Sequence, residues 1–279
     1  MSARPVAAID FGSSNTDVVW QEGAARRHWV LPSEGHPDAE RLTAALAAGG
    51  VSPADVAWIA VTGGNRSTLP EVLGGAPIYR VDEVQAIGRG GLALAGRTAG
   101  VVTSAGSGTA VVAASPAGAR HVTGTGVGGG TLVGLARMLV GTVDPMEIDA
   151  LARAGTDTSH NLTIAEVLGQ AIGSLPPETT AVNFGRVARH PVDAPREDMA
   201  AALVNLVGQV IAVIAINAAR AEQVDEAIIV GHLTDLPSIR RTFGLVAKFY
   251  GATLCLPAEG GSASALGALI ATQERLAGR

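Results

Sequence analysis

The stretch Val6-Ala7-Ala8-Ile9-Asp10-Phe11-Gly12-Ser13-Ser14-Asn15-Thr16-Asp17-Val18-Val19-Trp20 reads as an apolar strand, a tight turn of small polar residues and a returning strand. That is a β-hairpin with a carboxylate at its bend. The pattern returns at Gly100-Val101-Val102-Thr103, which runs through Ser104-Ala105-Gly106-Ser107-Gly108-Thr109 into Ala110-Val111-Val112-Ala113. Val56 to Val61, closed by Thr62-Gly63-Gly64-Asn65-Arg66, and Ile228 to Val230, closed by Gly231-His232, are further strands that stop at small-residue turns. Thr253 to Leu256 is another. Between them, helical spacing runs over Ala39–Ala48, Val84–Leu94, Pro145–Arg153, Asp198–Gln223 and Ala263–Leu276. Strands alternating with helices predict an α/β fold with two sheets, in which turns at strand ends bind ligands. The duplication places a boundary near residue 98, giving subdomains 1–98 and 99–279, with the final helix free to pack back on the first. The segment from Asp198 is apolar on most faces and reads as a buried helix, a pattern that burial in one subunit and a dimer contact explain equally.

The densest glycine run, Gly124-Thr125-Gly126-Val127-Gly128-Gly129-Gly130-Thr131, precedes the helical pattern Leu132 to Leu139. Glycine loses more conformational freedom on folding than other residues, so such a run implies backbone that must approach something closely. At a helix N-terminus that something can be phosphate; a plain loop fits the run alone as well. Asp10 beside Gly12-Ser13-Ser14 can meet a nucleotide phosphate through Mg²⁺, or can form an ordinary Asx turn. Phosphoryl transfer to a hydroxyl needs a carboxylate to accept the proton. Asp82-Glu83, after Pro77-Ile78-Tyr79-Arg80-Val81, is the best-placed acidic pair, although an acid at a helix start also caps it.

Composition narrows the function classes. A net charge of -5 without a basic run argues against a nucleic-acid surface. Lys248 is the single lysine and has no Walker pattern around it, so any phosphate site relies on backbone amides, hydroxyls and a metal. The six histidines are dispersed without zinc spacing, no nucleophile elbow stands out, and Cys255 lies in an apolar run as a buried thiol would. The chain carries no long uninterrupted apolar stretch and no leader pattern, which predicts a cytoplasmic protein without membrane attachment.

In chain order, Asp10-x-Gly12, Thr62-Gly63-Gly64-Asn65, Val81-Asp82-Glu83, Gly106-Ser107-Gly108, the glycine run, Thr180-Ala181-Val182-Asn183-Phe184-Gly185 and Gly267-Ala268-Leu269 resemble the type II pantothenate kinases, the eukaryotic-like and staphylococcal group. The resemblance covers nearly the whole chain. It implies the actin-like (ribonuclease H-like) duplicated ATPase fold, with a nucleotide cleft between two subdomains. It implies ATP and Mg²⁺ as cofactors, and phosphorylation of the hydroxyl of pantothenate or a related small acid or amide, toward coenzyme A. A homodimer and inhibition by acyl-coenzyme A follow by the same likeness.

Carried over by position, Glu83 falls on the catalytic glutamate, with Asp82 next to it near the substrate. Asp10, Gly12, Ser13, Ser14 and Asn15 fall on the first phosphate loop, with Asp10 as the metal-side carboxylate. Gly106, Ser107, Gly108 and Thr109 fall on the second loop, Gly128, Gly129 and Gly130 near the nucleotide phosphates, and Gly231 on the adenosine side. Arg120, His121, Gly124, Thr125 and Asn183 fall on the acceptor side. Departures from the family pattern accompany these matches. Ser13-Ser14 replace Gly-Thr, Asp17 stands near an expected lysine, and His121 takes the place of an arginine that pairs with the pantothenate carboxylate, with Arg120 beside it. A Gly-Asp and downstream Asp-x-x-Val stretch appears as Gly155-Thr156-Asp157 and Asn161-Leu162-Thr163-Ile164, with one carboxylate lost. A neutral imidazole does not reproduce a bidentate arginine contact.

Overall fold

The computed structural model describes residues 4–64, 68–169 and 177–278; Asn65 and Arg66 of the second small-residue turn lie outside them. The opening hairpin forms as its alternation requires, from β1 (Val6–Phe11) and β2 (Asn15–Glu22), and is extended by β3 (Ala25–Pro32). After α1 (Ala39–Ala48) come β4 (Ile59–Gly63), β5 (Val72–Leu73), β6 (Ala76–Arg80) and α2 (Glu83–Ala95). The sheet order is β3-β2-β1-β4-β6-β5, with β1, β4 and β6 parallel and the hairpin strands antiparallel.

The second half repeats this with β7 (Gly100–Ala105), β8 (Thr109–Ser115) and β9 (Gly118–Thr125), then α3 (Gly129–Leu139) and α4 (Pro145–Ala154). A short hairpin of β10 (Leu162–Thr163) and β11 (Thr180–Val182) brackets α5 (Ile164–Leu168). There follow α6 (Arg196–Ala221), β12 (Glu226–Val230), α7 (Pro237–Tyr250), β13 (Thr253–Cys255) and α8 (Ala263–Leu276). The order β13-β12-β7-β8-β9 corresponds to β6-β4-β1-β2-β3 strand for strand, parallel and antiparallel pairings included.

The layers interlock. The α1 side of the first sheet is a core of Ile9, Leu42, Leu46 and Ile59, and its other face packs on α8 through Ala8, Ala60, Leu266 and Leu269. α2, although it belongs to the first half of the chain, packs on the second sheet through Ile87, Leu92, Val102 and Val112. α2 and α8 therefore lie side by side between the sheets. Their crossing is close because Gly90 and Gly267 face the partner backbone: a Cβ on either would overlap the Ala263 or Ala86 carbonyl. α6 covers the far face of the second sheet with α3, α4 and α7, and Leu203, Val207, Ile211 and Phe243 form its core. By length and composition α6 could cross a bilayer, but most of its apolar window is buried within the protein. Its apolar character on most faces follows from being packed on several sides.

Candidate functional site

A cleft of about 1710 Å³ opens between the halves, lined by both hairpin turns and by the ends of β4 and β12. The duplication explains why small residues gather there. Gly63 and Gly231 occupy equivalent positions, each with positive φ (+89° and +99°), and a Cβ on either would run into the carbonyl of Phe11 or Ala105 respectively. Only glycine fits a left-handed residue pressed against a neighbouring strand. The turns touch across the cleft, Ser14 Oγ lying 2.6 Å from Ser107 Oγ.

Asp10, one residue before the end of β1, lies on the face that meets α8, where Ser264 hydrogen-bonds its carboxyl. Glu83, in the first turn of α2, also lines the cleft. Burial pushes the Asp10 carboxyl up to about 7, reinforced by the negative charges of Asp17 and Glu83 and only partly relieved by Ser264 and His232. Thr62 pairs with Asp10 in the parallel ladder and so shares its face; its hydroxyl is fully buried and has no hydrogen-bond partner among the described residues. In the second half Ser104 takes the position of Asp10, so only one half contributes a carboxylate at this point. Asp82, by contrast, is spent as the N-cap of α2, accepting from the Val84 and Gln85 amides at 3.0 and 3.3 Å.

The glycine run needs a correction. Gly124 and Thr125 end β9, and Gly128 caps α3. The helix-start amides of Gly129 and Gly130, expected to face an anion, donate to the carbonyls of Gly106 (2.8 Å) and Ser107 (2.9 Å). Thr109 Oγ1 donates to the Val127 carbonyl at 2.8 Å and Thr131 Oγ1 to that of Gly126 at 3.0 Å. A Cβ at Gly128 would stand 2.6 Å from the Ser107 oxygen. The close approach inferred for the run is real, but its partner is the second turn, which the run braces from behind. Gly129 and Gly130 still border the cleft.

The cleft gathers Asp10, Gly12, Ser13, Ser14, Asn15, Glu83, Gly106, Ser107, Gly108, Thr109 and Gly231. The proposed acceptor residues lie outside its walls. Arg120 and His121 point to opposite faces of β9, just before a bulge at Val122: Arg120 pairs with Glu222 just past the end of α6. His121 sits opposite Val112, whose side chain packs toward α2. Asn183 is engaged in an amide network with Gln209 and Asn205 of α6. Sequence reading missed Ser264, which has no motif around it, and the partners of Asp17. That carboxylate is buried between His28 and His232, so the acid found near an expected lysine is not a bare negative charge facing the phosphate turn.

The profile of the Fumble family matches residues 101–268, more than half of the chain. The chain belongs to the Fumble family. Among its curated relatives, type II pantothenate kinases, the protein of Oceanobacillus iheyensis is 29% identical over 154 residues, 55% of this chain and 58% of that one. The enzyme of Bacillus cereus is 27% identical over 148 residues, 53% of this chain and 54% of that one. The aligned part of this Fumble-family chain thus spans only a little over half the length of the curated relatives it matches. Solved structures extend the likeness across the fold. The activator of the 2-hydroxyisocaproyl-CoA dehydratase from Clostridium difficile, with bound ADPNP, superposes with a TM-score of 0.69 at 18% identity over 98% of this chain and 96% of that one. A ROK family protein from Streptococcus pneumoniae, in complex with sucrose, superposes with a TM-score of 0.58 at 12% identity over 99% of this chain and all of that one. The Fumble-family chain accordingly has the duplicated actin-like ATPase fold that the resemblance implied, in agreement with the repeated hairpins.

Proposed function

We propose that the chain transfers the γ-phosphoryl group of ATP to the primary hydroxyl of pantothenate, in the cytoplasm, as the first step toward coenzyme A. The observation that carries this reading is the pairing of Glu83 with Asp10 at the cleft floor, in a chain whose curated relatives are named type II pantothenate kinases. Glu83 accepts the proton of the acceptor hydroxyl as that oxygen bonds to the γ-phosphorus and the bond to ADP breaks. The two small-residue turns position the phosphates with amides and the hydroxyls of Ser14 and Ser107. The residues fit Mg²⁺. Asp10 is a buried carboxylate with the negative charges of Asp17 and Glu83 acting on it, and the buried Thr62 hydroxyl beside it is free for a water. Among the described residues no three His, Cys, Asp or Glu side chains form a metal cage, which suits an ion held by one carboxylate and substrate phosphates. When bound there, Mg²⁺ neutralises the phosphate charge. A homodimer and inhibition by an acyl-coenzyme A belong to the same reading.

Arg120 is committed to Glu222, on the sheet face opposite His121. This favours, as a second reading, an acceptor without a carboxylate, such as an amide of pantothenate or another small alcohol. The experiment is turnover of Glu83→Gln with ATP and a panel of pantothenate, its amides and sugars. Loss of rate by about 10²-fold or more with ADP affinity retained is expected, and an unchanged rate would remove Glu83 from the mechanism.

A further inference from the structure

Asp17 and His232 come together from positions 215 residues apart. Asp17 lies on β2 directly opposite Asp10 in the hairpin and is 3% exposed. Its Oδ1 is 2.8 Å from His28 Nε2, and its two oxygens are 3.1 and 2.9 Å from His232 Nε2. The other ring nitrogen, His232 Nδ1, faces Asp235 Oδ2 at 3.1 Å. Ionised carboxylates only accept hydrogen bonds, so an imidazole with one on each nitrogen carries both protons. His232 is therefore a cation lodged between one carboxylate from each half of the molecule. Burial opposes that charge, yet the bonds to Asp17 and Asp235 outweigh it and push the imidazole up to about 10. Asp10 acts on it at longer range, and the looser pair Arg26–Glu259, at 3.8 Å, joins β3 to the turn before α8.

We propose that the chain His28–Asp17–His232–Asp235 is a strap that holds the two halves of the cleft at the separation a nucleotide's phosphates require, with His232 as a positioning residue. The strap acts through what its ends carry. Asp17 belongs to the hairpin whose turn is Gly12 to Ser14, and His232 follows Gly231, whose backbone is pressed on the end of β7 just before Gly106. Of the links between the halves that border the phosphate turns, Ser14–Ser107 can be surrendered by rotating a hydroxyl. The strap cannot open without taking the His232 cation from a buried carboxylate that then keeps only His28, which is costly. The acid near the expected lysine is then a structural partner for a histidine supplied from the other half.

This inference rests on the nucleotide-binding part of the proposed function, and one set of measurements separates the two. Binding of ADP with Mg²⁺ is measured by calorimetry for the natural chain, Asp17→Asn, His232→Gln and the double variant. The radius of gyration of each is measured with and without ADP. Each single change is expected to raise the ADP Kd at least ten-fold and the double change to add little more, because both remove one linkage. The nucleotide-free His232→Gln variant should be more extended than the natural chain and should contract when ADP-Mg²⁺ is added. A merely structural pair would lower the melting temperature and leave the Kd at 25 °C unchanged. That result, additive effects, or an unchanged radius would overturn the strap while the nucleotide reading stands. Absence of ADP binding to the natural chain would remove both. If Asp17→Asn does not fold, the His232→Gln affinity and radius decide.

Discussion

Asp10 serves two opposed demands. As a buried carboxylate near Asp17 and Glu83 it is unfavourable in the ionised form, and as a cation ligand it must be ionised. Its carboxyl titrates at about 7 in the folded chain against an ordinary 3.8. A pKa raised by folding gives stability that is complete below the unfolded value and is lost as pH rises through the folded one. The metal-free protein should therefore lose this contribution between pH 4 and 7, and Asp10→Asn should melt a few degrees higher than the natural chain at pH 8. The same variant should lose the stabilisation that Mg²⁺-ATP confers on the natural chain by mass action. Thermal melts at pH 5 and 8, with and without Mg²⁺-ATP, check both. Asp17 has the opposite sign. Burial raises its pKa, but the bonds from His232 and His28 outweigh that and hold it low, so its contribution is present above the unfolded value and is lost on acidification. A melting temperature at pH 7 that is unaffected by Asp17→Asn would contradict that pairing, whereas at low pH the two proteins should converge.

At the scale of elements, α2 deserves its place in the sequence reading because two signals coincided there: an acidic pair and an apolar period. The residues alone do not say which acid faces the cleft, since capping and catalysis ask for the same residue type at a helix start, and the choice of Glu83 rests on the resemblance; in the structure Asp82 is the cap and Glu83 lines the cleft. The hairpin turns were legible from their small residues. β3 was not read as a strand: Arg26, Arg27 and His28 interrupt its apolar residues, and as an edge strand it is mostly exposed. β9 escaped for a related reason. Its glycine and bulge break the alternation, so its end was read as part of the loop before α3. The strap was beyond sequence reading because no local pattern links Asp17 to His232. The α2–α8 crossing yields a test of its own. Gly267→Ala should cost about 1–3 kcal/mol or more through overpacking and should reduce turnover further by moving α2 and Glu83. Gly244→Ala, on α7 with open space around the added Cβ, is the control and should be neutral or slightly stabilising. Denaturant titrations of the two variants measure the difference.

Taken as a whole, the molecule exchanges helices between its halves. The first sheet is faced by the last helix, and the second sheet by a helix from the first half. Neither half then covers both faces of its own sheet. Unfolding should be a single cooperative transition despite the two sheets, with calorimetric and van't Hoff enthalpies equal. Two resolved transitions would show that the halves are independent. The repeated hairpins were legible as a duplication, and the actin-like architecture through the family resemblance that the short motifs carry, whereas the exchange was not, because periodicity reveals that a helix has a buried face and says nothing about which sheet receives it.

The placement of α8 has a consequence for how the protein is made. Ser264, the hydroxyl that steadies Asp10, and the helix that seals the first sheet both come from the last part of the chain. A ribosome adding about 5–20 residues per second delivers them roughly 10 to 40 s after the first sheet has emerged. For that interval the apolar face of Ala8, Ala60 and their neighbours lacks its helix, so the nascent first half should be prone to association, and the cleft is assembled only after α8 has emerged.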